Sequence, residues 1–308
     1  MKFNIEKIHY YLPGIPNQLE DFKNENPNWD LKKIFEKSGV SKIYKSSDDT
    51  FEFLKNAFKF FTFDDLSNID VLIVVNQTAE IKLPSLSNLM QNQLKIKQNV
   101  IAFDMGLGCS GFIYALYTAL KLLDSEEVKK ALVVMCDNYS HYINKNDRTM
   151  LPLFSDCVSA VKISNDLNHR IIDYDFGSDG SGGDSLKLTY NKSKNKELFM
   201  NGSNVFMFTM SRVPESVRKI LQKNNLKNTD IDFYLFHQAS QIVLDNLKRN
   251  LNLSDNKILI SLNNFGNTIA STIPILLSEH YKKFKKGDKI ILCGFGVGLS
   301  WGTLLVEW

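Results

Sequence analysis

The sequence predicts an α/β protein with mostly parallel strands, assembled from two similar halves. Short β-prone apolar runs alternate with stretches of helical periodicity, and no linker or low-complexity segment interrupts the alternation. The order and spacing of the elements also repeat along the chain.

In the first half the strand-like runs are VLIVV (71–75), VIAF (100–103) and KALVVMC (130–136). In the second they are DFYLF (232–236), KILIS (257–261) and KIILCGF (289–295). Helix-patterned stretches lie between them, around 85–95, 111–123, 214–223, 240–250 and 270–284. The stretch after 110 is the most regular, with Phe112, Ile113, Leu116, Tyr117, Leu120 and Leu123 at helical spacing. Asp70 heads the first unit and Asp232 the second; 39 residues separate Asp70 from Cys109, and 35 separate Asp232 from Asn267. The next steps also match, with 24 residues from Cys109 to Val133 and 23 from Asn267 to Ile290. A duplicated βαβ-type unit puts Cys109 and Asn267 at corresponding strand-to-helix turns, with His237 directly after its own strand. Ligands bind off the carboxyl ends of strands in open α/β sheets. Two halves related by a pseudo-twofold axis therefore bring Cys109, His237 and Asn267 to one pocket.

Composition sets the surroundings. The chain has 308 residues, 44% of them hydrophobic, and a net charge of +3, a balance that does not point to a nucleic-acid partner. No apolar run reaches the roughly 18–20 residues of a membrane span, and MKFNIEKIHYYLPG lacks the apolar core of a signal peptide, so a cytoplasmic protein is expected. Cys109, Cys136, Cys157 and Cys293 have no CxxC spacing and no neighbouring histidine pairs, so neither a metal site nor a disulfide framework is expected. The last three read as reduced packing residues.

Cys109 differs because of its flanks. Gly106, Gly108 and Gly111 leave room for a tight turn and for a substrate beside the sulfur. The helix that follows presents unpaired N–H groups that favour a thiolate. Such a thiolate suits thioester exchange, in which sulfur attacks an acyl carbonyl and another thiol leaves. Each residue also has a plain reading: an inert buried cysteine, a satisfied strand-end histidine, and an N-cap asparagine. The repeat is the reason to take the three together.

Several ordered segments resemble the β-ketoacyl-acyl-carrier-protein synthase III family of the thiolase-like superfamily, over nearly the whole chain. AFDMGLGCSGFIYAL resembles its nucleophile segment, FHQAS its PHQAN segment and FGNTIASTIP its YGNTSAASIP segment. LFSDCVSAV, MNGSNVFMF and FGVGLSWGTLLV match further motifs. The resemblance implies a five-layer αβαβα fold with two pseudo-repeated halves, 1–168 and 169–308, and a homodimer. It makes Cys109 the acylated nucleophile, with His237 and Asn267 binding the thioester carbonyl of a malonyl unit as carbon dioxide leaves. Backbone N–H groups of Cys109 and Val297 form an oxyanion hole, and Leu83, Phe295, Gly296 and Gly298 contact substrate, Leu83 reaching in from the dimer partner. No cofactor is implied; acyl-coenzyme A or acyl carrier protein and malonyl carrier protein are the substrates. Arg212, Arg218, Lys219, Lys248 and Arg249 are expected to steer an acidic carrier protein, or else to form a solvated helix face.

Some positions depart from the pattern. KSGV carries Lys37 where an arginine helps bind the coenzyme A nucleotide, and Ser240 and Ile242 replace an asparagine and an arginine after the histidine. Val297 adds bulk near the sulfur. These departures keep open an acyltransferase that moves the Cys109-bound acyl group to an alcohol or amine, with His237 as general base. A catalytically silent partner subunit fits less well, because all three polar site residues are retained.

Overall fold

The computed structural model describes residues 1–190, 193 and 195–308, apart from the side chain of Leu167. The first half begins with β1 (Lys2–Tyr11), followed by β2 (Asn17–Gln18), α1 (Asp21–Glu25), α2 (Leu31–Ser38), β3 (Lys42–Ile43) and α3 (Thr50–Phe58). The repeated unit follows as β4 (Val71–Val75), α4 (Leu86–Gln93), β5 (Ile101–Met105), α5 (Gly111–Leu122) and β6 (Lys130–Asp137). A long strand, β7 (Cys157–Ser178), leads to the hairpin β8 (Leu186–Tyr190) and β9 (Lys196–Met200) and to α6 (Gly202–Lys223). The second unit comprises β10 (Phe233–Phe236), α7 (Gln241–Asn250), α8 (Leu262–Phe265), α9 (Thr272–His280), β11 (Lys289–Gly296) and β12 (Ser300–Glu307).

The duplication is visible in the hydrogen bonds. β4 runs parallel to β5 and β6, with Val71 opposite both Ile101 and Ala131, and β6 pairs antiparallel with the first part of β7. β10 runs parallel to β11, β11 antiparallel to β12, and β12 antiparallel to the last part of β7. The two aspartates that head the units do the same work. Asp70 N–H donates to the Lys130 carbonyl at 2.9 Å and its carboxylate accepts from Lys130 N–H at 3.0 Å. Asp232 does the same with Lys289, at 2.8 Å for each bond. β7 joins both sheets, flanked by β1 and β6 early and by β12 later.

Alternation along the strands builds the layers. Val71, Ile73, Val75, Ala131 and Val133 face the main core with α5, whereas Leu72, Val74, Leu132 and Val134 face a second core with Phe53, Leu54 and Met90 of α3 and α4. α5 touches β4 and β6 on one side and β11 and β12 on the other, and α6 covers the far side of β11 and β12. Helices, sheet, central helices, sheet, helices: five layers result. This is the five-layer αβαβα arrangement expected above. In the outer layer the Asp104 carboxylate of β5 accepts from Leu86 and Ser87 N–H at 2.7 and 2.8 Å, placing negative charge at the start of α4.

Three expectations fail. The strands of the large sheet are not mostly parallel: among the described residues three pairings are parallel and four antiparallel, because β1, β7 and β12 run against their neighbours. KILIS forms no strand; Ile258 makes only a bridge to Tyr234. The buried side chain of Gln238 occupies the backbone groups that a longer strand needs, accepting from Ser261 N–H at 2.9 Å and donating to the Leu259 carbonyl at 3.3 Å. The helix expected around 214–223 begins at Gly202, capped by Asn201, and Pro214, a residue that suits a first turn, lies inside it.

Candidate active site

Cys109 sits in the turn between β5 and α5, 6% exposed. Gly111 N–H closes the turn on the Gly108 carbonyl at 2.7 Å, and the Ser110 hydroxyl meets that of Ser300 at 2.8 Å. Two backbone N–H groups, of Cys109 itself and of Val297, pull the thiol's pKa down. Burial nevertheless dominates, and the Asp137 carboxyl adds to it, so the thiol is pushed up to about 12. Burial thus works against the thiolate expected from the helix N-terminus.

The strand β11 and the turn after it hold the sulfur in place. A Cβ on Gly296 would stand 2.8 Å from Cys109 Cβ and 3.0 Å from Sγ, so only glycine lets this strand pass so close. Phe295, one residue earlier, sets its ring edge against that of His237, with centroids 5.4 Å apart. Gly296 and Phe295 thus connect the nucleophile turn to the histidine.

His237 follows β10 and stays in register through its N–H to the Cys293 carbonyl, at 2.8 Å. Its ring is buried, with Nδ1 2.8 Å from Thr272 Oγ1. Burial lowers its pKa to about 3, against the opposing pull of the Ile269 carbonyl, and the ring is neutral at physiological pH. The Thr272 hydroxyl has one proton and two acceptors in reach, Nδ1 and the Ile269 carbonyl at 3.1 Å. When that proton goes to Nδ1, Nε2 carries the ring hydrogen.

Asn267 is buried at the corresponding turn of the second half. Its backbone crosses to the first half, with its N–H on the Leu153 carbonyl at 2.9 Å and its carbonyl accepting from Ser155 N–H at 3.0 Å. Its side chain donates to the Ala239 carbonyl at 3.2 Å and accepts from Ile269 N–H at 3.0 Å. One amide hydrogen thereby ties Asn267 to the segment that bears His237, and the other is left for a ligand. The segment after Asn267 reaches α5 as well: a Cβ on Gly111 would lie 3.8 Å from that of Ala270. The fold thus gathers the surroundings of Cys109, His237 and Asn267 into one packed corner.

Other expected residues lie further out. Gly298 occupies the turn after β11 with positive φ, as Gly296 does at its end, and Val297 sits between them. Leu83 does not line the cavity beside Cys109 in its own chain; its side chain is 90% exposed on the loop before α4. Much of the basic cluster on α6 and α7 is neutralised. Lys219 pairs with Asp175, Lys248 with Asp255 and Arg212 with Glu215. Arg218 and Arg249 bond the carbonyls of Asn250 and Asp245, and among the described residues neither has a carboxylate partner. Lys37 lies in the last turn of α2, whose C-cap Gly39 packs against Gln241 at the start of α7.

Four contributors escaped the sequence: Asp137, Gln77, Tyr139 and Thr272. Asp137 is buried, and its burial raises its pKa to about 7 against the N–H of Gln77 and the Thr78 hydroxyl; its Oδ2 has no partner among the described residues. Tyr139 donates to Gln77 Oε1 at 2.7 Å, and a Cβ on Gly108 would be 2.5 Å from that same oxygen. Thr272 orients the histidine. Thr272 lies within FGNTIASTIP, but its contact with the histidine is tertiary, and no quoted motif covers Gln77, Asp137 or Tyr139. Among the described residues no group of three or more His, Cys, Asp and Glu is placed to hold a metal ion, and no helix is long and apolar enough to cross a membrane.

Comparison with known proteins adds the relatives. The family model described as 3-oxoacyl-[acyl-carrier-protein (ACP)] synthase III matches residues 103–180, and its C-terminal counterpart matches residues 221–308. The β-ketoacyl-[acyl-carrier-protein] synthase III of Staphylococcus haemolyticus is 35% identical over 295 residues, covering 94% of this chain and 93% of its own. That of Listeria monocytogenes serotype 1/2a is 33% identical over 302 residues, covering 91% of this chain and 94% of its own. The crystal structure of 3-oxoacyl-[acyl-carrier-protein] synthase III from Aquifex aeolicus superimposes with a TM-score of 0.88 at 27% identity, covering 99% of this chain and all of that one.

Proposed function

The chain belongs to the 3-oxoacyl-[acyl-carrier-protein] synthase III family, and from that premise we propose how its own residues carry out the condensation. The protein is an acyltransferase of the condensing class; it needs no cofactor, because thioester chemistry suffices for both half-reactions.

In the first, Cys109 Sγ attacks the acyl carbonyl of a donor thioester. The new S–C bond forms, the old one breaks, and the cysteine proton ends on the departing thiol. The oxyanion that develops is met by the N–H groups of Cys109 and Val297. In the second, His237 Nε2–H and the free amide hydrogen of Asn267 bind the thioester carbonyl of malonyl carrier protein. Carbon dioxide leaves, the enolate oxygen takes its charge between those donors, and the carbanion attacks the acyl group. A C–C bond forms, Cys109 departs as thiolate, and one proton from solvent restores the thiol.

The neutral state of His237 carries this reading. With a pKa near 3 it is a poor base for a hydroxyl or amine acceptor, whereas decarboxylation asks only for a hydrogen-bond donor. The residues 1–168 are taken as the half that supplies the nucleophile and 169–308 as the half that supplies the histidine and asparagine.

A homodimer is supported by the edge strand β5, whose Ile101 is exposed, together with exposed Ile81 and Leu83 on the neighbouring loop. A second copy across this edge would cover them and carry Leu83 to the partner's cavity. For the carrier protein, Arg218 and Arg249 are the unneutralised cations on α6 and α7, and Arg212, Lys219 and Lys248 contribute less while paired.

The test is an intact-mass measurement after incubation with acyl thioesters of coenzyme A and of carrier protein, followed by malonyl carrier protein. An acyl mass on Cys109, absent from Cys109→Ala, and one carbon dioxide per acyl discharged are expected. Acyl discharge to an alcohol or amine without malonyl donor would overturn the condensation reading.

A further inference from the structure

A cavity of about 140 Å³ opens beside the nucleophile turn, lined by Val297, Gln77, Tyr139 and leucines of the β8–β9 hairpin, Leu186, Leu188 and Leu198. Val297 links it to the sulfur, because its side chain forms part of the wall while its neighbour Gly296 passes directly over Cys109, where a Cβ would stand 3.0 Å from Sγ. Gln77, Val297 and Tyr139 all crowd Gly108, the residue before the nucleophile: a Cβ there would meet Gln77 Oε1 at 2.5 Å, Val297 Cγ1 at 2.9 Å and Tyr139 Oη at 3.2 Å.

The wall is mixed, apolar at Val297 and the leucines and polar at Gln77, Tyr139, Thr78, Tyr142 and Lys187. The last three are engaged elsewhere, Tyr142 donating to the Thr78 carbonyl at 2.9 Å, Thr78 Oγ1 to Asp137 Oδ1 at 3.3 Å and Lys187 pairing with Asp184, and the Tyr139–Gln77 pair is the polar part next to Gly108. Tyr139, itself buried, spends its hydroxyl proton on Gln77 Oε1 at 2.7 Å, and Gln77 Nε2 donates to the Gly106 carbonyl at 3.3 Å. Gln77 N–H is fixed in turn by Asp137 Oδ1 at 2.8 Å. After these bonds the pair retains lone pairs on Oη and one amide hydrogen. An alkyl chain pressed against them leaves both unfilled, which costs free energy, whereas a hydroxyl can give to the first and accept from the second.

We propose that the Tyr139–Gln77 pair makes this cavity select a short acyl group bearing a hydroxyl, of no more than about six heavy atoms, as the donor carried by Cys109. This deepens the condensing-enzyme reading and rests on it. The size limit follows from the volume, since a cavity of roughly 150 Å³ admits one benzene. Discrimination follows from the pair, since sites that hydrogen-bond a substrate hydroxyl reject its deoxy analogue far better than apolar pockets sort methylenes.

The experiment offers butyryl, 3-hydroxybutyryl and octanoyl coenzyme A in equimolar competition to the full chain and reads the adduct on Cys109 by intact mass. The 3-hydroxybutyryl adduct is expected to exceed butyryl at least tenfold, with no octanoyl adduct. Tyr139→Phe, which keeps the ring, and Gln77→Leu are each expected to bring the ratio close to one. Butyryl or octanoyl loading that equals or exceeds hydroxybutyryl, or a ratio unmoved in both variants, overturns the proposal while the condensing reading stands. No adduct with any of the three, from these or from carrier-protein donors, overturns both.

Discussion

The two strand-to-helix turns that the repeat equates have been built to opposite ends. The Cys109 turn follows the regular strand β5, opens the twelve-residue α5, and surrounds a sulfur with backbone N–H groups while a carboxyl stands nearby. The Asn267 turn follows only the bridge at Ile258 and the four-residue α8, and its backbone is bonded across to Leu153 and Ser155 of the other half. Losing the regular strand there freed the chain to reach over the boundary, and that reach brings Asn267 and Thr272 to the histidine. One turn is equipped to carry negative charge during the reaction. The other holds two neutral donors in fixed positions and never needs to ionise.

The largest effect that can break this contrast is on the sulfur. With the thiol pushed up to about 12, the thiolate fraction rises about tenfold for each pH unit below that value. Alkylation of Cys109 by iodoacetamide should therefore accelerate roughly a thousandfold from pH 6 to pH 9 without levelling off. A plateau near pH 7 or 8 would mean that the helix terminus outweighs burial, and that the two turns differ less than described. His237, with a pKa near 3, should add no inflection in the same range.

A smaller effect sharpens the other side. Thr272 is a positioning residue: it acts on Nδ1 of His237 and not on substrate. In Thr272→Val the ring proton is expected to move to Nδ1, toward the Ile269 carbonyl, leaving Nε2 without a hydrogen to donate. Condensation should fall about a hundredfold, acylation of Cys109 should be unchanged, and Thr272→Ser should restore the rate. Equal losses in both half-reactions, or no rescue by serine, would reduce Thr272 to a packing residue.

The parts of this arrangement that could be read from the sequence are those set by local pattern. β4, β6, β10 and β11 announced themselves as apolar runs because each is buried on both faces. α5 did so through its spacing. The long β7 did not, since it carries Asn165, Asp166 and Asn168 where it edges into solvent, and further on the buried Asp173 and Asp175, which pair with Lys223 and Lys219. KILIS misled for the complementary reason: its buried residues have strand composition, but Gln238 supplies the partners that a neighbouring strand would. At the site, Cys109, His237 and Asn267 were legible through the repeat and the motifs. Asp137, Tyr139, Gln77 and Thr272 were not, because their roles come from which side chains the packing brings against Gly108 and the histidine ring. The burial that works against the thiolate was hidden too, as burial is a property of the finished fold.

The central claim is that His237 and Asn267 act only after Cys109 has been acylated. Its most direct test is to load Asn267→Ala with an acyl group, add malonyl carrier protein, and follow the mass on Cys109 together with carbon dioxide release. The acyl mass should stay in place while the wild type discharges, with carbon dioxide release slowed by about 10²–10³, as for other lost oxyanion donors. Discharge at the wild-type rate would contradict the claim.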